Sequence, residues 1–300
     1  MNRSHSPLGQ LPFFYGWIVV AVAFVTMGIA VNARTSFSLL FPALLDEYQW
    51  DRGLIAGAFS LGFVVSGIIT PVFGYIMDRW GPRIAIPIGA TLVVAGLAIA
   101  TTISTPFALY MTLGVMLVSG SVGMSYISHA MFLPNWFVRK RGLAIGIAFS
   151  GVGIGSITLL PWFQSVIDNE GWRQACIVIA LAVIIIIPLN FLLQRRHPED
   201  LELEPDGDKS NSNTSENSAP DPVVDKAWVE TDWTLPKALR TSKFWWLFIG
   251  YFAALYVWYS VQVHQTVYLV EVGFDTATAA KALGLVALFG IIGQIGIGAL

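Results

Sequence analysis

The chain has 300 residues, of which 55% are hydrophobic and 12% charged, with a formal net charge of −2; its mean hydropathy is +0.65. That apolar excess excludes an ordinary soluble domain, and a near-neutral balance excludes nucleic acid as a partner, because phosphate binding needs clustered exposed cations. One cysteine, Cys176, excludes an internal disulfide, and its place in an apolar run makes it a small packed hydrophobe with no redox or zinc role.

Eight apolar runs are long enough to cross a hydrocarbon core of ~30 Å, which takes about 20 helical residues. In chain order the expected helices are Tyr15 to Leu44, Leu54 to Met77, Ile84 to Thr102, Phe107 to Leu133, Gly142 to Val166, Gln174 to Leu193, Phe244 to Val270 and Ala277 to Leu300. Arg3 precedes the first run and no small-residue cleavage site follows it, so that run reads as an uncleaved membrane helix. Short turns join the first six, and residues 1–193 read as a six-helix N-terminal transmembrane domain. Residues 194–243 break the pattern with Glu, Asp, Pro, Ser and Asn, a composition that cannot bury a core, and are expected to be a largely disordered linker. Residues 244–300 supply helices 7 and 8 and read as the start of an incomplete second domain. The expected fold class is an all-α, multi-pass membrane protein.

Positive charge sets the orientation. With the N-terminus inside, only Arg34, Arg52, Arg173 and Lys281 of the 17 Lys and Arg residues face outward. The bias places the N-terminus and the linker in the cytoplasm, in the inner (plasma) membrane for a bacterial protein.

Between the second and third spans the chain reads Gly74-Tyr-Ile-Met-Asp-Arg-Trp-Gly-Pro-Arg83. Gly81 and Pro82 suit a tight turn, since glycine allows positive φ and proline can open the next helix. The spacing of Gly74, Asp78, Arg79, Gly81 and Arg83 resembles the loop signature of the major facilitator superfamily of secondary transporters. The resemblance implies that Asp78 latches the two halves of the carrier on the cytoplasmic side; the alternative is that these charges only stop the helices and set topology.

Trp136 to Gly155 reads Trp-Phe-Val-Arg-Lys-Arg-Gly-Leu-Ala-Ile-Gly-Ile-Ala-Phe-Ser-Gly-Val-Gly-Ile-Gly. Arg139, Lys140 and Arg141 anchor the helix at an anionic inner surface, and Gly142, Ala144, Gly146, Ala148 and Gly151 leave a small face for close helix packing. The string Gly151, Gly153, Gly155 is not a nucleotide loop, because no strand precedes it. This unit looks like the monocarboxylate transporter signature. Tyr15-Gly16-Trp17, Pro198-Glu-Asp-Leu201 and Ala238 to Trp245 resemble segments of the related bacterial oxalate/formate antiporters.

Arg34 carries an intramembrane charge, which is costly and functional by default. It reads either as the cation that pairs with a carboxylate substrate, as the resemblance implies, or as an arginine snorkelling to outer headgroups. Asn32, Thr35, Ser36 and Ser38 surround it in sequence. In the seventh span Tyr256, Tyr259 and Gln262 share a helical face and make a candidate substrate lining. His264 is a candidate proton carrier, with an interfacial hydrogen-bonding role as the alternative; His129 is a weaker one. Trp233 to Lys243 reads as either a short interfacial helix or a solvated stretch.

Monocarboxylate transporters typically carry an acid and, four positions later, an arginine in helix 8; here those places fall on Gly290 and Gln294. The resemblance implies a small organic anion as substrate with protons as a candidate coupling ion, no cofactor, no metal and no enzymatic activity. It also implies four further helices to complete the pathway, so the chain reads as a truncated fragment. An exporter of amphipathic compounds and a non-transporting membrane protein are the alternatives. No His-Glu-x-x-His, acidic dyad or Ser/His/Asp set supports an intramembrane enzyme.

Overall fold

The computed structural model describes residues 13–207, 228, 231, 233–274 and 276–299. All regular elements among them are helical, and six stretches have the length and apolarity to cross a membrane. The chain divides into one unit of Met1–Lys209 with Phe289–Leu300 and another of Ser210–Leu288.

In the first unit, α1 (Gly16–Thr35) and α2 (Phe37–Tyr48) run on through Ser36, whose backbone is itself helical, as a single stretch of 33 residues. The first span thus passes the expected end at Leu44, and stops at Gln49, where the chain turns left-handed at φ 52°. The second, α3 (Arg52–Trp80), starts earlier than expected because the Asp51 carboxylate accepts from the Gly53 N–H at 2.7 Å. It ends later because Gly81, at φ 72°, donates back to the Met77 carbonyl. Asp78 therefore lies inside the last turn of α3 and does not terminate it. Then α4 (Pro82–Ala100) begins with proline in its first turn.

The fourth span is interrupted where a continuous helix is expected. It consists of α5 (Pro106–Leu109), a π-helical stretch Tyr110–Met116, α6 (Leu117–Val122), α7 (Tyr126–Ala130) and α8 (Leu133–Trp136). The widened stretch lies where backbones crowd. A Cβ on Gly114 would stand 2.5 Å from the Ala58 carbonyl oxygen, and one on Gly96 3.0 Å from that of Thr112. Next come α9 (Arg141–Glu170), α10 (Trp172–Ile184) and α11 (Ile186–Leu193).

The most extensive pairing joins α1 to α9, α3 packs on the fourth span, and α4 packs on α6, α10 and α11. Small residues permit this approach: Gly28 and Gly89 meet the backbones of Gly151 and Gly120. Buried polar groups are satisfied at the same seams. Asn32 Nδ2 donates to the Gly28 and Val152 carbonyls at 2.7 and 3.1 Å, and Ser156 donates to Asn32 Oδ1 at 2.8 Å. Asn190 Nδ2 on α11 reaches Thr26 Oγ1 on α1 at 2.8 Å.

The second unit contains α12 (Leu235–Leu239), α13 (Ser242–Glu271) and most of α14 (Thr276–Ala299). At 30 and 24 residues, α13 and α14 exceed the length a bilayer requires.

Candidate functional site

Arg34 stands eighteen residues beyond Gly16 and fourteen before Tyr48, roughly 27 Å and 21 Å at about 1.5 Å per residue. The helical stretch runs on to Tyr48, so Arg34 lies within it and does not end it. Its guanidinium carbon lies 5.7 Å from the centre of the Phe63 ring on α3. Phe59, one turn earlier, stacks on Phe37 of α2 with centroids 4.7 Å apart. The neighbouring polar residues also make bonds within α1 and α2 or to α9. Asn32 is committed to α9, while the Thr35, Ser36 and Ser38 hydroxyls donate to the carbonyls of Val31, Ala33 and Thr35.

Beyond Arg34, the end of the unit that carries Tyr48 and Trp172 is riveted by a network that the sequence reading missed. Glu47 accepts from Trp172 Nε1 at 2.5 Å and from both terminal nitrogens of Arg173 at 2.8 and 2.6 Å. Arg173 also donates to the Thr101 carbonyl at 3.1 Å and to the Tyr48 hydroxyl at 3.0 Å. Tyr48 in turn donates to the Ile103 carbonyl. A bidentate carboxylate and guanidinium thus join the ends of α2, α4 and α10.

At the other end lie the expected gating residues. Gly74 has open space where a Cβ would stand. Arg79 donates to the Tyr75 hydroxyl at 2.8 Å, and Arg83 donates to the Phe191 carbonyl at 2.9 Å. Asp78 is met by Arg196, which donates to the Asp78 carbonyl and places Nη2 3.4 Å from Oδ1.

That contact belongs to a docked strap. Residues 194–207, the first part of the stretch expected to be disordered, are ordered against this face; residues 208–227 lie outside the described residues. Trp136 Nε1 donates to the Arg195 carbonyl at 3.1 Å, and Asn135 to that of Arg196 at 3.2 Å. The Asp206 carboxylate accepts from the Val138 and Arg139 N–H groups at 3.0 and 2.8 Å, and Leu201 is buried. Tyr15 donates to the Leu193 carbonyl at 2.7 Å. Burial pushes the Tyr15 phenol above its ordinary value, against the pull of Arg195 and Arg83, so it remains a neutral donor.

The basic cluster is spread around this turn. Arg139 holds its side chain 3.9 Å from Asp206, Lys140 precedes the first residue of α9 without a side-chain capping bond, and Arg141 Nε donates to the Phe137 carbonyl at 3.3 Å. The small face of α9 splits in two. Gly151 meets the Phe24 backbone of α1, while Gly142 and Gly146 meet the backbones of Gly298 and Gln294 at the end of α14, which clusters with the first unit. Gly290 has open space around it.

Tyr256 is exposed on α13 and stacks on Phe252 at 6.4 Å. Tyr259, Gln262 and His264 belong to the helical backbone of α13, but their side chains lie outside the described residues. His129 is buried, with Nδ1 2.9 Å from the Ser125 carbonyl.

Residues 16–300 match the family model of the Major Facilitator Superfamily. The chain belongs to that superfamily. Among similar proteins, monocarboxylate transporter 13 of Bos taurus is 25% identical over 95% of this chain and 61% of its own length. Monocarboxylate transporter 11 of Mus musculus is 29% identical over 63% of this chain and 42% of its own length. The oxalate:formate antiporter of Oxalobacter formigenes is 27% identical over 79% of this chain and 51% of its own length. The chain thus spans between about two fifths and three fifths of these relatives, which are transporters and not enzymes. Membership in the superfamily and six apolar spans make this an integral, multi-pass membrane protein.

Proposed function

We propose that the protein carrying this chain is a secondary transporter that moves a small organic anion, monocarboxylate-like, across the membrane by alternating access. The observation that carries this reading is Arg34. A guanidinium carried by a 33-residue apolar span, beside an aromatic ring, is a costly charge whose planar fork fits a carboxylate. Relatives named for monocarboxylates and for oxalate and formate support the same substrate class.

In this reading Tyr256, Tyr259 and Gln262 supply hydrogen-bond donors to the carboxylate, and His264 carries a coupled proton. Residues Gly74 to Arg83 form the inner gate, with the N-terminus and the central segment in the cytoplasm. Helices outside this chain complete the pathway. The experiment is uptake by proteoliposomes of labelled formate, oxalate and longer monocarboxylates, alongside a panel of amphipathic compounds. Saturable carboxylate uptake that unlabelled carboxylate competes away supports the proposal.

Export of amphipathic compounds is the second reading. It is favoured by one observation: helix α14 carries glycine and glutamine at 290 and 294, where the resemblance leads one to expect an acid and an arginine. Flux of the amphipathic panel without carboxylate flux would select it.

A further inference from the structure

The elbow ahead of α13 combines three features that transport does not explain: fixed geometry, an apolar surface and a run of cations. Only Arg240 and Thr241 separate α12 from α13, and hydrogen bonds set the bend between them. Trp245 Nε1 donates back to the Leu239 carbonyl at 2.9 Å; the Thr241 hydroxyl donates to the Ala238 carbonyl at 2.8 Å and accepts from the Phe244 N–H at 3.3 Å. Position of the elbow is dictated by α13, a 30-residue helix whose first turns are tryptophan- and phenylalanine-rich. Where such a helix leaves the hydrocarbon, the segment just before it lies at headgroup depth.

The composition of the elbow matches that depth. Trp233, Leu235, Leu239, Trp245 and Trp246 are all exposed, Leu235 and Leu239 being one turn apart on α12. Trp233 packs on Trp228 at 4.1 Å, its Nε1 donates to the Trp228 carbonyl, and Lys243 Nζ lies 4.0 Å over the Trp228 ring. From Trp233 to Trp246 the chain carries Lys237, Arg240 and Lys243 and no acid, following the carboxylates Glu230 and Asp232. Exposed indoles and leucines beside cations suit a surface that offers an acyl boundary and negative headgroups together. A protein partner would satisfy the apolar groups, but it would not account for the covalent junction with a membrane-length helix.

We infer that Trp233 to Trp246 is a docking element for anionic lipid headgroups, with Leu235 and Leu239 inserted at the acyl boundary and Lys237, Arg240 and Lys243 at the phosphates. This does not depend on what the protein transports.

The test uses the full chain in a Cys176→Ala background with single spin labels at Leu235→Cys or Leu239→Cys. The chain is reconstituted in phosphatidylcholine vesicles with or without phosphatidylglycerol, and label depth is read from collision with oxygen against a water-soluble nickel chelate. A label at Phe248→Cys reports that α13 remains in lipid. With the anionic lipid, the labels at 235 and 239 are expected to sit below the phosphates by about 5–10 Å, and to move toward water without it. In K237Q/R240Q/K243Q, and more weakly in K237Q alone, that dependence on lipid charge should disappear. Labels open to the nickel chelate in both vesicles, or buried equally in both, would overturn the inference.

Discussion

Replacing Gly155 by alanine places a methyl group at a tight seam of the first unit, where α9 crosses α1. A Cβ built there stands 2.6 Å from Asn32 Nδ2 and closer still to the Gly28 carbonyl oxygen, and ordinary contact begins at 3.4 Å, so at least 0.8 Å of overlap must be relieved. The other side of the position is the Gly28 backbone, which cannot move away as a flexible side chain would. Relief therefore means parting the helices, or displacing the Asn32 amide from the Gly28 and Val152 carbonyls. Overpacking costs about 1–3 kcal/mol, and a lost hydrogen bond adds about 0.5–1.5 kcal/mol. A total near 3 kcal/mol lowers Tm by roughly 6–12 °C, at about 2–4 °C per kcal/mol for a domain of this size. The assay is thermal unfolding of the purified protein in nanodiscs, with Gly67→Ala as the comparison. A Cβ on Gly67 meets nothing within 4 Å, and alanine favours a helix, so that variant should hold or gain stability. Equal Tm values for Gly155→Ala and Gly67→Ala would refute the close-approach argument.

Three more experiments separate the parts of the molecule. Gly74→Ala, at another open position, should leave Tm unchanged yet slow transport, if the loop closes against a partner surface during the cycle; unchanged transport would remove Gly74 from the gate. Asp206→Ala removes the acceptor for two backbone N–H groups at Val138 and Arg139, a loss of about 2 kcal/mol. Amide exchange across Pro198–Gly207 should then rise, and unchanged protection would show that the strap is held elsewhere. A double-mutant cycle of Glu47→Gln with Arg173→Gln should give a coupling of about 0.5–1 kcal/mol, because the pair is bidentate yet partly exposed, with side chains 38% and 44% accessible. Zero coupling would demote the Glu47–Arg173 rivet to an incidental ion pair.

The first six spans were readable from sequence because apolar length alone decides membrane crossing, and the cap and turn residues then moved their ends. Asp51, Gly81 and the left-handed Gln49 lengthened two of them, and only the first two had a local signal. The π-helical break at Tyr110–Met116 had none, since it arises where Gly114 and Gly96 crowd the backbones of other residues far along the chain. The strap was hidden for the same reason. Residues 194–207 are polar and proline-rich, and what orders them comes from Asp78, Trp136, Val138 and Arg139. Asn32 stood out only as a polar neighbour of Arg34 and Asn190 was not singled out, yet each makes a helix-to-helix bond. Glu47 offered less: its pairing with Arg173 joins residues 126 positions apart. Arg34 was legible as a charge in a span. Its depth was not, because that depends on where the first span stops.

The central claim is that Arg34 receives a substrate carboxylate, and the most direct measurement is carboxylate uptake by proteoliposomes bearing Arg34→Gln, with Arg34→Lys beside it. Loss of a desolvated charge pair of about 3–5 kcal/mol predicts at least a hundredfold fall in uptake for the glutamine variant. Partial retention is expected for lysine, which keeps the charge but loses the fork. Reconstitution and Tm should be unchanged in both. Uptake of carboxylate undiminished in a stable Arg34→Gln protein would contradict the account.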